Sequence, residues 1–129
     1  MENQNKRKPI ASFRDLEVYR NTYLGAVRVI KEVLPRLPSC EKFDLVDQLR
    51  RSSKAMPRLI AEGYAKRHQK MGFQKYLNDA MAECNETVVS LLQCQDIYGV
   101  KCDELINLYE ISGRQLYRLS AVWKNFPEK

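Results

Sequence analysis

Seven cations crowd one stretch of this 129-residue chain. In "DQLRRSSKAMPRLIAEGYAKRHQK", residues 47–70, stand Arg50, Arg51, Lys54, Arg58, Lys66, Arg67 and Lys70. Guanidinium and ammonium groups at this density suit one kind of chemistry, the holding of polyanions. The planar arginine fork grips a phosphate through two hydrogen bonds, and lysine adds a mobile point charge. Across residues 50–75, eight basic residues face a single acid, Glu62, whereas the rest of the chain carries 14 basic against 15 acidic residues. The formal net charge of +6 is therefore concentrated here. A solvated helix face ordinarily mixes both signs, while a segregated cluster raises the local potential and draws nucleic acid. Tyr64, Phe73 and Tyr76 are interleaved with the cations, where they can stack on unpaired bases or simply pack.

Other chemistries are poorly supplied. The four cysteines, Cys40, Cys84, Cys94 and Cys102, form no C-x-x-C pair, and the one histidine, His68, cannot complete a zinc site of ordinary spacing. Cys84 and Cys94 fall in a helical pattern, where a reduced thiol acts as a small hydrophobe. A lone histidine also excludes a paired Glu-x-x-His di-metal centre, and the chain has neither a phosphate-cradling glycine loop nor a nucleophile motif. The expectation is a protein that is not an enzyme and takes no metal or cofactor. No apolar run approaches the roughly 20 residues that span a bilayer. "MENQNKRKPIAS" lacks the apolar segment of a signal peptide, so a cytoplasmic protein with no membrane partner is expected.

The elements that must position these residues have helical period. A first segment opens at Ser12, with Asp15 as a weak capping box, and places Leu16, Tyr19, Tyr23, Ala26, Val27, Ile30 and Leu34 on one stripe before Pro35 closes it. A second, about 41–67, carries Leu45, Leu49, Ser52, Met56 and Ile60. A third, about 70–98, carries Phe73, Leu77, Ala80, Cys84, Val88, Leu91, Gln95 and Tyr98, with Gly99 as its stop. A fourth, about 102–125, carries Leu105, Tyr109, Ser112, Leu116, Leu119 and Trp123 before Pro127. With no run of alternating apolar and polar residues, the fold class is all-α: an antiparallel up-down-up-down four-helix bundle over residues 12–126, preceded by a flexible basic tail at 1–11.

Pro57 lies inside the second segment and predicts a kink there, and Gly63 either ends that helix or lets another backbone come close. Measured from Leu49, Arg50, Lys54, Arg58 and Arg51 fall at about 100°, 140°, 180° and 200°, opposite the apolar stripe. Val18, Val46, Val89, Leu92, Ile97 and Ile111 stand off the stripes, and a lone subunit would expose them.

The blocks "FRDLEVYRNTY", "FDLVDQLRRSSKAMPRLIAEGYAKR" and "FQKYLNDAMAECNETVVSL" resemble the bacterial four-helix bundle family of 23S ribosomal RNA intervening-sequence proteins. They are similar, too, to the accessory proteins of diversity-generating retroelements. The central block is the specific part: Gln48, Leu49, Arg50 and Arg51, then Pro57, then Ile60, Ala61, Glu62 and Gly63. The sequence departs from the family at Arg58 and Leu59, where a small polar pair is usual, and at Ala82 and Glu83, where Gly-Ser is common. The resemblance implies a small bundle assembled into a ring, often a pentamer, with a basic surface for RNA or DNA and no established catalytic activity.

The expected function is a nucleic-acid-binding accessory protein acting through Arg50, Arg51, Lys54, Arg58, Lys66, Arg67 and Lys70. The alternative is a homo-oligomeric scaffold whose basic face docks an acidic partner protein; a reverse transcriptase is one partner the resemblance allows.

Overall fold

Capping at the start of the chain follows the sequence, and the helix it was expected to open does not. In the computed structural model, which describes residues 9–124, the Ser12 hydroxyl accepts the Arg14 N–H at 3.0 Å and the Asp15 carboxylate accepts the Ala11 and Ser12 N–H groups at 2.8 and 3.0 Å. This box caps only a 3₁₀ turn, Phe13–Asp15, after which Leu16 is extended and sends its side chain into the core. The first α-helix, α1, is Glu17–Arg28. It passes into a wider π turn, Val29–Val33, and a tight 3₁₀ turn, Leu34–Arg36. Pro35 has no N–H to give to the preceding turn, so the ladder changes pitch there instead of stopping at Leu34.

Helix α2 is Leu45–Ala65. It begins later than expected because Ser39–Glu41 makes its own 3₁₀ turn, from which the Glu41 carboxylate reaches the Leu45 N–H at 3.1 Å. Pro57 is interior to α2, which stays one element through it. Of the two roles open to Gly63, close approach is the one taken. A Cβ on Gly63 would sit 2.6 Å from Tyr76 Cβ on the next helix.

Helix α3 is Gly72–Tyr98 and α4 is Asp103–Lys124. The α2–α3 connection turns on Met71, a non-glycine residue at φ 59°, and on Gly72, where a Cβ would meet the Lys66 carbonyl at 2.1 Å. Gly99, at φ 69°, ends α3 as expected, with its N–H on the Gln95 carbonyl and the Val100 N–H on the Cys94 carbonyl. The 1–8 part of the predicted tail, Asn125 and Pro127 lie outside the described residues. Among the described residues there is no strand, and no helix is long and apolar enough to cross a membrane.

The four helices pack as α1 on α2, α2 on α3, α3 on α4 and α4 on α1. Late α2 meets early α3, with Tyr64 edge-on to Phe73, and early α2 meets late α3, with Ser52 and Thr87 hydroxyls 2.8 Å apart. Such crossed pairing is what neighbours of opposite sense produce. Leu45, Leu49, Met56 and Ile60 of α2, Phe73, Leu77, Ala80, Cys84 and Leu91 of α3, and Leu105, Tyr109 and Leu116 of α4 form the core, as their spacing predicts. Burying each large apolar side chain is worth about 1.5–3 kcal/mol.

The α1 stripe is a correction in part: Leu16, Ala26 and Leu34 are buried as expected, and the stripe residues between them are not. Tyr23 is 54% exposed, and Tyr19, Val27 and Ile30 are only partly covered. The face turned to the core is Val18, Thr22, Gly25, Ala26, Val29 and Val33, so Val18 is not a surface residue. Two features hide this face from a count of apolar residues. Thr22 can be buried because its hydroxyl bonds back to the Val18 carbonyl at 2.9 Å. Gly25 makes room for Tyr109, whose Oη would lie 2.5 Å from a Cβ there.

Candidate nucleic-acid interface

The helical register of α2 separates the cations from the core. Arg50, Arg51, Lys54 and Arg58 are exposed on the side away from Leu49, Met56 and Ile60. Three of them, Arg50, Lys54 and Arg58, are spaced four residues apart and rise by about 6 Å per step along the helix. Among the described residues these three make no ion pair; only Arg51 has an acid, the Asp47 carboxylate, 3.2 Å from its Nε. On the α1 side of the molecule one cation is held between two acids. Arg28 lies 3.1 Å from both Glu32 and Glu104, and those hydrogen bonds raise its pKa.

Lys54 and Arg58 stand on a ridge between two depressions. On one side, toward α3, lie Arg50, Arg51, Ala55, Leu59 and Glu83. Glu83 is the one acid in that lining, and partial burial pushes its carboxyl above the ordinary range, with Glu86 adding to the rise and Arg51 opposing it. On the other side, toward α1, lies an apolar groove with Phe13, Tyr19, Tyr23 and Pro57 in its wall.

The hairpin cations are placed differently. Lys66 Nζ donates to the Tyr76 hydroxyl at 2.8 Å and sits 5.1 Å from that ring, and this hydrogen bond is the main cause of its raised pKa. Arg67 lies 4.0 Å over the Tyr64 ring and donates to the Tyr64 carbonyl at 2.9 Å, closing the end of α2. Both are partly buried, while Lys70 is exposed in the turn. The α2 row and the hairpin set are thus two groups, not one continuous face. Of the aromatics interleaved in the sequence, Phe73 is fully buried and Tyr64 nearly so, packed edge-on against each other, with Trp123 edge-on to both; Tyr76 is partly exposed. The rings beside free cations are instead on α1, where sequence reading had assigned Tyr19 and Tyr23 to the core. Arg20 between two tyrosines was the signal that the stripe has a solvent edge.

The buried thiols offer no reactive group. Burial pushes Cys84 up to about 11 and Cys94 up to about 12, so both stay protonated at neutral pH.

Residues 14–119 match the family model described as 23S rRNA-intervening sequence protein. No curated protein matches the chain.

Proposed function

The chain belongs to the 23S rRNA-intervening sequence protein family, and from that premise we propose that it is a non-catalytic nucleic-acid-binding accessory protein that contacts phosphates through Arg50, Arg51, Lys54 and Arg58. The observation that carries this reading is the row of three exposed cations without an intramolecular acid. A positive side chain with no internal partner keeps its full charge for a ligand, and its hydrogen-bond donors are spent on water alone until one arrives. Lys70 adds long-range attraction from the hairpin, and Lys66 and Arg67 contribute field more than direct contact.

The test is affinity for short RNA and DNA as a function of salt. Each phosphate contact contributes about −0.7 to −0.9 to the slope of log K against log salt, so four contacts predict a slope near −3. Flat, weak binding would remove this reading and favour the scaffold that docks an acidic partner.

A homo-oligomer, five subunits in a ring, belongs to the same proposal. Val89, Leu92 and Ile97 of α3 and Tyr117 and Val122 of α4 are exposed, Ile97 by 63% and Tyr117 by 70%. Repeating a heterologous contact round a closed ring would cover such a face. Ring closure also multiplies the basic row, so that individually weak contacts add through effective concentration. Light scattering that finds only 15.1 kDa monomers at micromolar concentration would end the assembly proposal.

A further inference from the structure

The tyrosine edge of the α1 stripe has a location that the phosphate row does not explain. Phe13, Tyr19 and Tyr23 line one wall of an open groove of about 420 Å³, and Pro57, Lys54 and Arg58 of α2 line the other. Its lining holds no acidic residue. The rings are held in a cluster: Phe13 meets Tyr19 edge-on at 4.8 Å, and Tyr19 and Tyr23 are tilted by 37° at 5.9 Å. On the outer side Arg14 lies 5.1 Å from the Phe13 ring, and Arg20 is exposed between the tyrosines. The groove therefore has an aromatic wall opposite the cations Lys54 and Arg58.

We infer that this groove takes unpaired bases of single-stranded nucleic acid, with Tyr19 and Tyr23 as stacking platforms and Lys54 and Arg58 holding the phosphates that accompany them. The inference rests on the proposed nucleic-acid binding and names its form. A single strand supplies one flat ring and one negative charge per nucleotide, and the groove meets both within one turn of each helix. A duplex hides its base faces in its own stack and can use only the cations. An apolar partner helix would fill the aromatic wall but leave Lys54 and Arg58 facing uncharged surface. Pro57 suits the site because its ring presents a rigid apolar face where a longer side chain would occupy the space.

The experiment compares three fluorescent probes of equal length on the full chain: an oligothymidylate, the same backbone made abasic, and a duplex. The oligothymidylate should bind at least about 10-fold tighter than the abasic strand, because stacking adds to phosphate contact. A Tyr19→Leu, Tyr23→Ala variant should weaken oligothymidylate binding by roughly 5- to 100-fold while leaving the salt slope and abasic binding unchanged. Tyr23→Phe should bind like the parent, since the ring and not the hydroxyl stacks. Circular dichroism confirms that each variant is folded, and the single Tyr23→Ala, at the more exposed ring, provides the comparison if the double variant is not. Should all three probes bind alike with a steep salt slope, the groove is not a base site and the phosphate reading survives. No salt-dependent binding by any probe would overturn both. A tyrosine variant that changes oligomer size while binding oligothymidylate as before would place a second copy of the chain in the groove, and the inference would fall.

Discussion

The two halves of the basic stretch have the same residue types and similar density, and the fold treats them differently. Along α2, Arg50, Lys54 and Arg58 project from the helix without an ion pair among the described residues, although Glu83 of α3 lies in the same depression. At the hairpin, Lys66 and Arg67 lie against Tyr76 and Tyr64, and each gives one of its donors to a hydroxyl or a carbonyl. The difference comes from what the next element brings near. Mid-helix, α2 packs its apolar side on α3 and leaves its outer side to solvent. At its end, the chain must turn, Gly63 draws α3 close, and the aromatic rings of both helices come within reach of the cations. A count of positive charge along the sequence therefore measures attraction at a distance but not the number of groups free to grip a phosphate.

The largest expected effect tests the free half. Replacing Arg50, Arg51, Lys54 and Arg58 together by glutamine should lower affinity for RNA and DNA about 100-fold or more at low salt, and flatten the salt slope by roughly one unit per lost contact. Thermal stability and oligomer size should not change, since all four are exposed and only Arg51 has an ion pair, an exposed one worth at most about 1 kcal/mol. Unchanged affinity with an unchanged slope would show that the outer side of α2 is not where phosphates are held.

Reversing the readout tests the committed half. Arg67→Gln removes a ring contact and a closing hydrogen bond, a loss of about 1–2 kcal/mol that should lower the melting temperature by several degrees. Its effect on nucleic-acid affinity should stay within roughly threefold, the weight of one distant charge. Lys66→Gln should also lower the melting temperature. Because its hydrogen bond to Tyr76 raises the Lys66 pKa above the usual 10.5, that contribution is present in full below this pH and disappears as the pH climbs through the raised value. A melting difference between parent and Lys66→Gln that is as large well above that range as at neutral pH would mean the contact does not depend on the ammonium.

The sequence carried the bundle's outline because three of its four stripes are made of large apolar residues, and those of α2, α3 and α4 are buried where spacing puts them. Helix α1 was misread because its core side is built from Thr22 and Gly25 as well as valines, while its most conspicuous rings belong to the edge. Periodicity sees size and polarity; it does not see that a threonine has satisfied its own hydroxyl or that a glycine is making room for Tyr109. The α2 cations followed directly from register. The fate of Lys66 did not, because it depends on Tyr76, ten residues away in sequence and across a turn set by the left-handed Met71, and that of Arg67 depends on its folding back onto Tyr64 where α2 ends.

The smallest effect concerns the one acid beside the free row. Glu83 comes from α3 into the depression lined by Arg50, Arg51, Lys54 and Arg58, and partial burial raises its pKa while Arg51 holds it down. A raised carboxyl pKa means that folding favours the protonated form, so this group costs stability when ionised at high pH and stops doing so as the pH falls through its folded value. Its charge also repels any phosphate approaching the row. Glu83→Gln should therefore leave the melting temperature at neutral pH equal or slightly higher and tighten RNA and DNA binding by roughly two- to fivefold, the weight of one repulsive charge near a partly screened surface. In the parent, affinity should rise as the pH falls through the raised Glu83 value, and in the Glu83→Gln variant that rise should shrink. If the variant instead binds more weakly, Glu83 is positioning Arg51 for its ligand, and the acid belongs to the site as a holder of the guanidinium rather than as its one unfavourable charge.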